Sequence, residues 1–297
     1  MKSGGTRRGT AAAYAALAVL ALFWGYSWVA VKVATRDASP LAVAALRSAL
    51  GAAALLAFLA VTGRSLRPTP FFPTAVYGLL QTAGFTLLQT VAVSLGGAGK
   101  VAVLAYTMPF WLALLAWPFL GERIAGWRWL ALGLAGVGLA LVAVPLRSRS
   151  GLASALAVAA GFVWAASAVY VLRLRASAPQ DVLSLTAWQM VWGALALLAV
   201  AAVAPGHVHL TPSFVAAIAF LALFATALGW ALWLFVLSRL PATVAGIASL
   251  ATPVVGMLLA AAQLHEIPSG REVAGVACIL LALLANWWST ARAARRA

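Results

Sequence analysis

Residues 109–122 read PFWLALLAWPFLGE, and residues 253–266 read PVVGMLLAAAQLHE. In both stretches a proline is followed thirteen residues later by a glutamate, with Leu-Leu-Ala at the same place between them (Leu114-Leu115-Ala116 and Leu258-Leu259-Ala260). The offset is 144 residues and it holds outward without a gap, pairing Thr82 with Thr226, Ser94 with Ser238, Leu120 with Leu264 and Gly126 with Gly270. Further upstream Trp24 and Ser27 pair with Trp164 and Ser167 at an offset of 140, and Arg47 falls opposite Gln189 at 142. The chain contains its own half twice. In an apolar chain such a duplication points to a transporter with its solute pathway at the seam between the copies.

The chain is 65% hydrophobic and 8% charged, with a mean hydropathy of +1.02. A soluble domain carries about 25% charged residues, so most of this surface does not face water. A run of roughly 20 apolar residues crosses a bilayer core, and ten such runs can be read: Ala12–Thr35, Pro40–Val61, Phe71–Leu95, Ala98–Leu120, Ile124–Pro145, Leu152–Leu174, Asp181–Ala204, Pro212–Leu237, Pro241–Leu264 and Arg271–Thr290. They are solidly apolar, which fits helices and not the alternation of barrel strands. The sequence predicts an all-α membrane protein of ten transmembrane helices, in two five-helix copies over 12–145 and 152–290. Five is odd, so the second copy enters the membrane upside down. The expectation is an inverted 5+5 repeat, with two conformations of similar energy that open to opposite sides.

The net charge of +15 does not indicate nucleic acid, because its placement follows the membrane. With a cytoplasmic N-terminus, the inner segments hold Lys2, Arg7, Arg8, Arg64, Arg67, Arg123, Arg128, Arg173, Arg175, Arg239, Arg292, Arg295 and Arg296. The outer links hold Arg36, Lys100, Arg147, Arg149 and Arg271. This is the positive-inside bias, and it puts both termini in the cytoplasm. Anionic headgroups account for the basic ends. Met1–Thr10 followed by an apolar run looks like a secretory signal, but the run exceeds the usual ~7–15 residues and reads as an uncleaved first span. The single cysteine, Cys278, excludes an internal disulfide.

Two five-helix copies, each with a proline thirteen residues ahead of a glutamate at the end of its fourth helix, resemble the EamA-type family of the drug/metabolite transporter superfamily. Phe23-Trp24-Gly25-Tyr26-Ser27-Trp28, Leu240-Pro241-Ala242-Thr243, Thr252-Pro253 and Gly121-Glu122-Arg123 also resemble it. Within that family the Trp- and Tyr-rich first and sixth spans and the lack of buried acids are most similar to YddG-type amino-acid exporters. The resemblance implies a bacterial inner (plasma) membrane transporter, and it extends over carriers of drugs, cations and nucleotide sugars.

Pro109 and Pro253 lie mid-span and should kink their helices, freeing the carbonyls of Ala105 and Ser249. Tyr106, Ser249 and Thr252 lie within a turn of them and offer hydroxyls. Trp24 and Trp164 also lie mid-span, away from the interfacial belt where Trp gathers, and an indole N–H at that depth needs a partner. Either they pack between helices, or they line the pathway and stack on an amphipathic solute. Ser27, Gln81, Phe85, Thr226 and Trp230 are further candidate substrate contacts; Tyr77, Gln81 and Phe85 share a face at four-residue spacing. Lys32 and Arg47 are the charges farthest inside spans. Snorkelling, with a carbonyl or Asp37 as partner, is one account, and contact with a substrate carboxylate is the other.

Asp37, Glu122, Asp181, Glu266 and Glu272 all fall at span ends, and no run holds a mid-membrane Asp, Glu or His. Proton-driven carriers hold such a relay, so a facilitator is expected, or coupling that avoids a buried carboxylate. Glu122 and Glu266 fall at corners, where a carboxylate favours the N-terminus of the next helix. Gly96-Gly97-Ala98-Gly99-Lys100-Val101 echoes a phosphate loop, but Ser94 and Val101 stand where Gly and Ser/Thr are required. His207 and His209 lack further ligands nearby. No catalytic set, metal site or cofactor is expected. The function expected is a secondary transporter of small amphipathic metabolites, foremost an exporter of neutral or aromatic amino acids. A drug or organic-cation exporter of the same fold, and a non-transporting sensor or structural subunit, are the alternatives. Oligomeric state is not legible.

Overall fold

A computed structural model of the chain describes residues 3–67, 69–122, 127–142, 149–177, 180–271, 273–278, 280–282 and 284–285. The helices are α1 (Ser3–Asp37), α2 (Pro40–Val61), α3 (Phe71–Leu95), α4 (Ala98–Leu120), α5 (Trp127–Val142), α6 (Arg149–Ser177), α7 (Val182–Val203), α8 (Pro212–Leu237) and α9, in two pieces, Ala242–Ala248 and Ala251–Leu264. A tenth apolar stretch, Val273–Ala282, follows. Among the described residues eight helices are long and apolar enough to cross a bilayer. Runs five and ten are represented by the shorter helices Trp129–Leu141 and Val273–Ala282. Residues 1–2, the Arg123 corner (123–126), 143–148, Glu272, 279, 283 and 286–297 lie outside the described residues. Large apolar side chains such as Leu22, Phe72, Leu114 and Leu258 are exposed, a surface suited to lipid tails and not to water.

Helix starts follow local chemistry. Ser39 and Thr211 cap α2 and α8 by accepting from Ala42 N–H and Phe214 N–H, each ahead of a proline in the first turn. Asp181 caps α7 by accepting from Ser184 N–H at 2.9 Å. The fourth helix of each copy ends at equivalent left-handed residues: Gly121 (φ 70°) and His265 (φ 56°). Glycine takes that conformation freely, whereas histidine bears a steric cost.

Packing repeats across the copies. α1 lies on the second piece of α9, as α6 lies on the second piece of α4, and α2 lies on α7. Small residues let backbones approach, as in membrane helix pairs generally. Gly78 and Gly193 meet at the crossing of α3 and α7, where a Cβ on either would collide with the opposite backbone.

The two fourth spans run antiparallel, and the glutamates demonstrate it. Glu266, at the end of α9, accepts from Ala98 N–H (3.0 Å) and Gly99 N–H (3.1 Å) at the start of α4. Glu122, at the end of α4, accepts from Ala242 N–H (2.9 Å) at the start of α9. Each carboxylate therefore caps the fourth span of the other copy. The favourable end of the helix dipole is the expected one; the partner is set by tertiary packing.

The links obey the same relation. The α1–α2 link meets the α7–α8 link through an Ala38–Val208 bridge and a Ser39 N–H to His207 carbonyl bond of 3.0 Å. On the other face the α2–α3 link meets the α6–α7 link, with Arg64 3.9 Å from Asp181 and Ser184 Oγ donating to the Ser65 carbonyl.

Candidate functional site

Four spans are irregular at matching places, and the irregularities shape the centre of the molecule. α3 widens to π geometry over Leu79–Gly84, and α8 does so over Leu221–Leu228. The five-residue bonds fall in register: Phe85 N–H donates to the Leu80 carbonyl, and Gly229 N–H to the Phe224 carbonyl. π-turns of this kind gather at functional sites. In α8 the slipped bond passes over the Ala225 carbonyl, which instead accepts the Trp24 indole N–H at 2.9 Å. Gly229 makes room for that indole, since a Cβ there would overlap it. The partner expected for a buried Trp N–H is thus a backbone carbonyl exposed by a π-turn.

α4 and α9 are broken outright. Tyr106 and Thr107 bond back only three residues, to Val103 and Leu104, and Leu250 and Thr252 do likewise to Ile247 and Ser249. Pro109 sits in the first turn of the piece that begins at Met108, and Pro253 in the first turn of the piece that begins at Ala251. The expected kinks are therefore breaks, and the prolines start the second pieces. Proline is tolerated at the first turn because its missing N–H would have had no partner there.

Around these features stands an aromatic box drawn from both copies. Trp24 and Trp164 meet edge to face with ring centroids 5.3 Å apart. Trp230 lies 4.8 Å from Trp24 and 5.9 Å from Trp164. Phe85 lies 5.3 Å from Trp164 and 5.5 Å from Trp230. Tyr106 lies 5.3 Å from Trp164, and Trp233 packs behind. Edge-to-face pairs of this spacing are the favoured aromatic geometry.

The box encloses a cavity of about 20 Å³ lined by Trp24, Ser27, Trp28, Arg47, Phe85, Gln89, Tyr106, Trp164, Ala225 and Trp230. That volume holds little more than one water, which needs roughly 10–15 Å³. Any larger solute requires the helices to move apart. A second cavity, of about 320 Å³, lies where the Gly96-Gly97 corner meets Lys100, Ser154, Glu266 and Pro268.

Of the residues singled out from sequence, Trp24, Ser27, Arg47, Phe85, Tyr106, Trp164 and Trp230 line the central cavity. Thr226 stands behind it, accepting from Arg47 Nε at 3.1 Å. Gln81 Oε1 accepts from Ser167 Oγ at 2.6 Å, and Ser249 Oγ donates to the Gly246 carbonyl at 2.8 Å. Thr252 is buried in the first turn of the second piece of α9, two residues after Leu250. Lys32 does not reach the box: its ammonium donates to the Val93 (3.0 Å) and Gly96 (2.7 Å) carbonyls at the end of α3. Arg47 does not snorkel; it is 4% exposed. Nor does it meet Asp37, which accepts from Thr211 Oγ1 at 2.6 Å.

Sequence reasoning missed Gln89 and Trp28 as lining residues. The signal for Gln89 was present, because it lies four residues beyond Phe85 on the same face. Gln81 leaves that face because the π-turn inserts one residue, a rotation of about 100° at 3.6 residues per turn.

These features define a multi-pass membrane transporter built from two like halves around a central aromatic chamber. The chain belongs to the EamA-like transporter family, whose pattern matches twice, over residues 11–144 and 151–288. It is 27% identical over 280 residues to the uncharacterized transporter YoaV of Bacillus subtilis, covering 91% of this chain and 95% of that protein. It is 28% identical over 281 residues to a probable amino-acid metabolite efflux pump of Salmonella typhimurium, covering 90% and 92% of the two. A solved crystal structure shares the fold with a TM-score of 0.74, 21% identity, and coverage of 93% of this chain and 97% of that one.

Proposed function

We propose that this transporter exports small amphipathic metabolites, foremost neutral or aromatic amino acids, across a bacterial inner membrane by alternating access. In this reading the halves 12–145 and 152–290 each cross five times, ten in total, as an inverted 5+5 repeat with both termini cytoplasmic. The observation that carries it is the chamber at the seam: first-copy Trp24, Phe85 and Tyr106 face second-copy Trp164 and Trp230, beside four interrupted spans. Aromatic faces suit an apolar side chain, while backbone carbonyls and hydroxyls at the breaks suit the polar end of a solute. The name carried by the Salmonella typhimurium relative supports the same substrate class.

The near-closed chamber corresponds to an occluded state. The reciprocal glutamate caps close one face each, and opening either face requires one cap to part while the other holds. No described acid or histidine lies in the chamber wall, so coupling through a buried carboxylate is not part of this proposal. The partners proposed are the solute and the lipid bilayer.

The test is uptake by purified protein in liposomes against a panel of labelled amino acids and organic cations, with and without a pH gradient. Saturable amino-acid flux is expected. Saturable cation flux without amino-acid flux would support the drug-exporter alternative, and stoichiometric binding without flux would support the sensor.

A further inference from the structure

The seam is not symmetric at one point. Arg47 and Gln189 hold equivalent positions in the two copies, as do Thr82 and Thr226. Two bonds cross between the halves: Thr82 Oγ1 donates to Gln189 Oε1 at 2.8 Å, and Arg47 Nε donates to Thr226 Oγ1 at 3.1 Å. The same helix-to-helix bond is made once with a neutral amide and once with a cation. Holding α2 and α7 against the π-turns therefore does not require a charge.

The charge is nevertheless kept under adverse conditions. Arg47 is 4% exposed, no acid pairs with it among the described residues, and its Nη1 has no hydrogen-bond partner among them. A buried charge is stable when paired and hydrogen-bonded, and guanidinium presents a planar fork that fits a carboxylate. Arg47 lines the central cavity, and so does Gln89, whose buried Oε1 also lacks a partner among the described residues. One cavity thus holds a free cationic donor and a free neutral acceptor beside aromatic walls.

We infer that Arg47 is the residue that selects the substrate: it receives a carboxylate, the Gln89 carbonyl oxygen receives an ammonium, and the Trp24–Trp164–Trp230 walls take the apolar side chain. This deepens the proposed function and rests on its chamber. The substrate class is a zwitterionic, carboxylate-bearing apolar solute. An organic cation with no acid group meets the guanidinium charge with nothing to neutralise it and is disfavoured.

The experiment uses three labelled probes that share one ring: L-phenylalanine, phenylacetate and phenethylamine. Binding to the detergent-purified protein is read by tryptophan fluorescence, and flux is read in liposomes. The wild type should bind phenylalanine best and phenylacetate detectably, and should prefer both over phenethylamine by at least tenfold. Arg47→Gln, which installs the residue used by the other copy, should cut phenylalanine affinity at least tenfold and abolish that preference while the melting temperature stays close to wild type. Arg47→Lys, which keeps the charge without the fork, reads the same loss if the glutamine variant does not fold. Unchanged discrimination in the folded variant overturns the inference, as does a wild type that prefers phenethylamine or binds none of the three probes. Binding of phenylacetate and phenylalanine through Arg47 without flux of either sustains the inference and overturns the transport reading.

Discussion

Trp24 and Trp164 hold the same place in the two halves of the chain and touch each other, edge to face at 82° with centroids 5.3 Å apart. Their surroundings differ: the Trp24 indole donates to the Ala225 carbonyl, while the Trp164 indole nitrogen, 1% exposed as a residue, has no partner among the described residues. Residues that are equivalent by duplication meet only on or near the pseudo-two-fold axis, so this contact marks the centre of the seam.

Conservative replacement is the informative probe here. Truncating a buried Trp to Ala costs about 3–5 kcal/mol, which confuses folding with function. Trp164→Phe and Trp24→Phe keep the wall and remove the N–H. We expect extractable, monodisperse protein with transport reduced at least tenfold in Trp164→Phe. Normal flux in both variants, measured in liposomes, would remove the pair from the pathway.

The glutamate caps should bias the two faces in opposite directions. A helix cap contributes typically ~1 kcal/mol, roughly a fivefold change in a two-state population. In a Cys278→Ser background with a reporter thiol at Ser27→Cys, Glu266→Ala should raise labelling from the Glu266 face, and Glu122→Ala from the opposite face. Equal effects of both variants on both faces would show that the caps are only architectural.

Proline replacement should act on rate. Alanine at 109 or 253 restores a backbone donor within reach of the carbonyl four residues back and lets the helix close over its break. Pro109→Ala and Pro253→Ala are expected to slow turnover several-fold with KM little changed. Unchanged rates in counterflow would mean that the breaks do not move.

An imposed proton gradient should leave amino-acid flux unaltered within about twofold, because proton relays rest on buried ionisable groups and the described acids stand at helix ends. Strict dependence on the gradient in liposomes would contradict this.

The duplication made the architecture legible before any coordinate: an offset that pairs Pro109 with Pro253 and Glu122 with Glu266 gives the seam, and mid-span Trp24 and Trp164 point into it. What escaped depends on contacts between distant segments. The glutamates belong at helix N-termini, as a carboxylate should, and each reaches the start of the fourth span in the other copy, a contact that no local rule states. The π-turns at Leu79–Gly84 and Leu221–Leu228 have no proline or glycine-pair signal, so Gln81 was grouped with Phe85 although an inserted residue turns it away. The snorkelling account of Arg47 fails because packing of α2 against α8 buries the guanidinium beside Thr226, a contact between distant segments. Lys32 also carries a charge inside its span, and carbonyls at the end of α3 take it.

The antiparallel relation of the halves underlies every step above, and thiol accessibility tests it most directly. Single cysteines at Ser65 and Ser238, and others at His207 and Ile267, all exposed positions in links, are placed in the Cys278→Ser protein and labelled in sealed vesicles with a membrane-impermeant maleimide. Ser65→Cys and Ser238→Cys should label from one side, and His207→Cys and Ile267→Cys from the other. Labelling of Ser65→Cys and Ser238→Cys from opposite sides would contradict the inverted arrangement and the shared chamber with it.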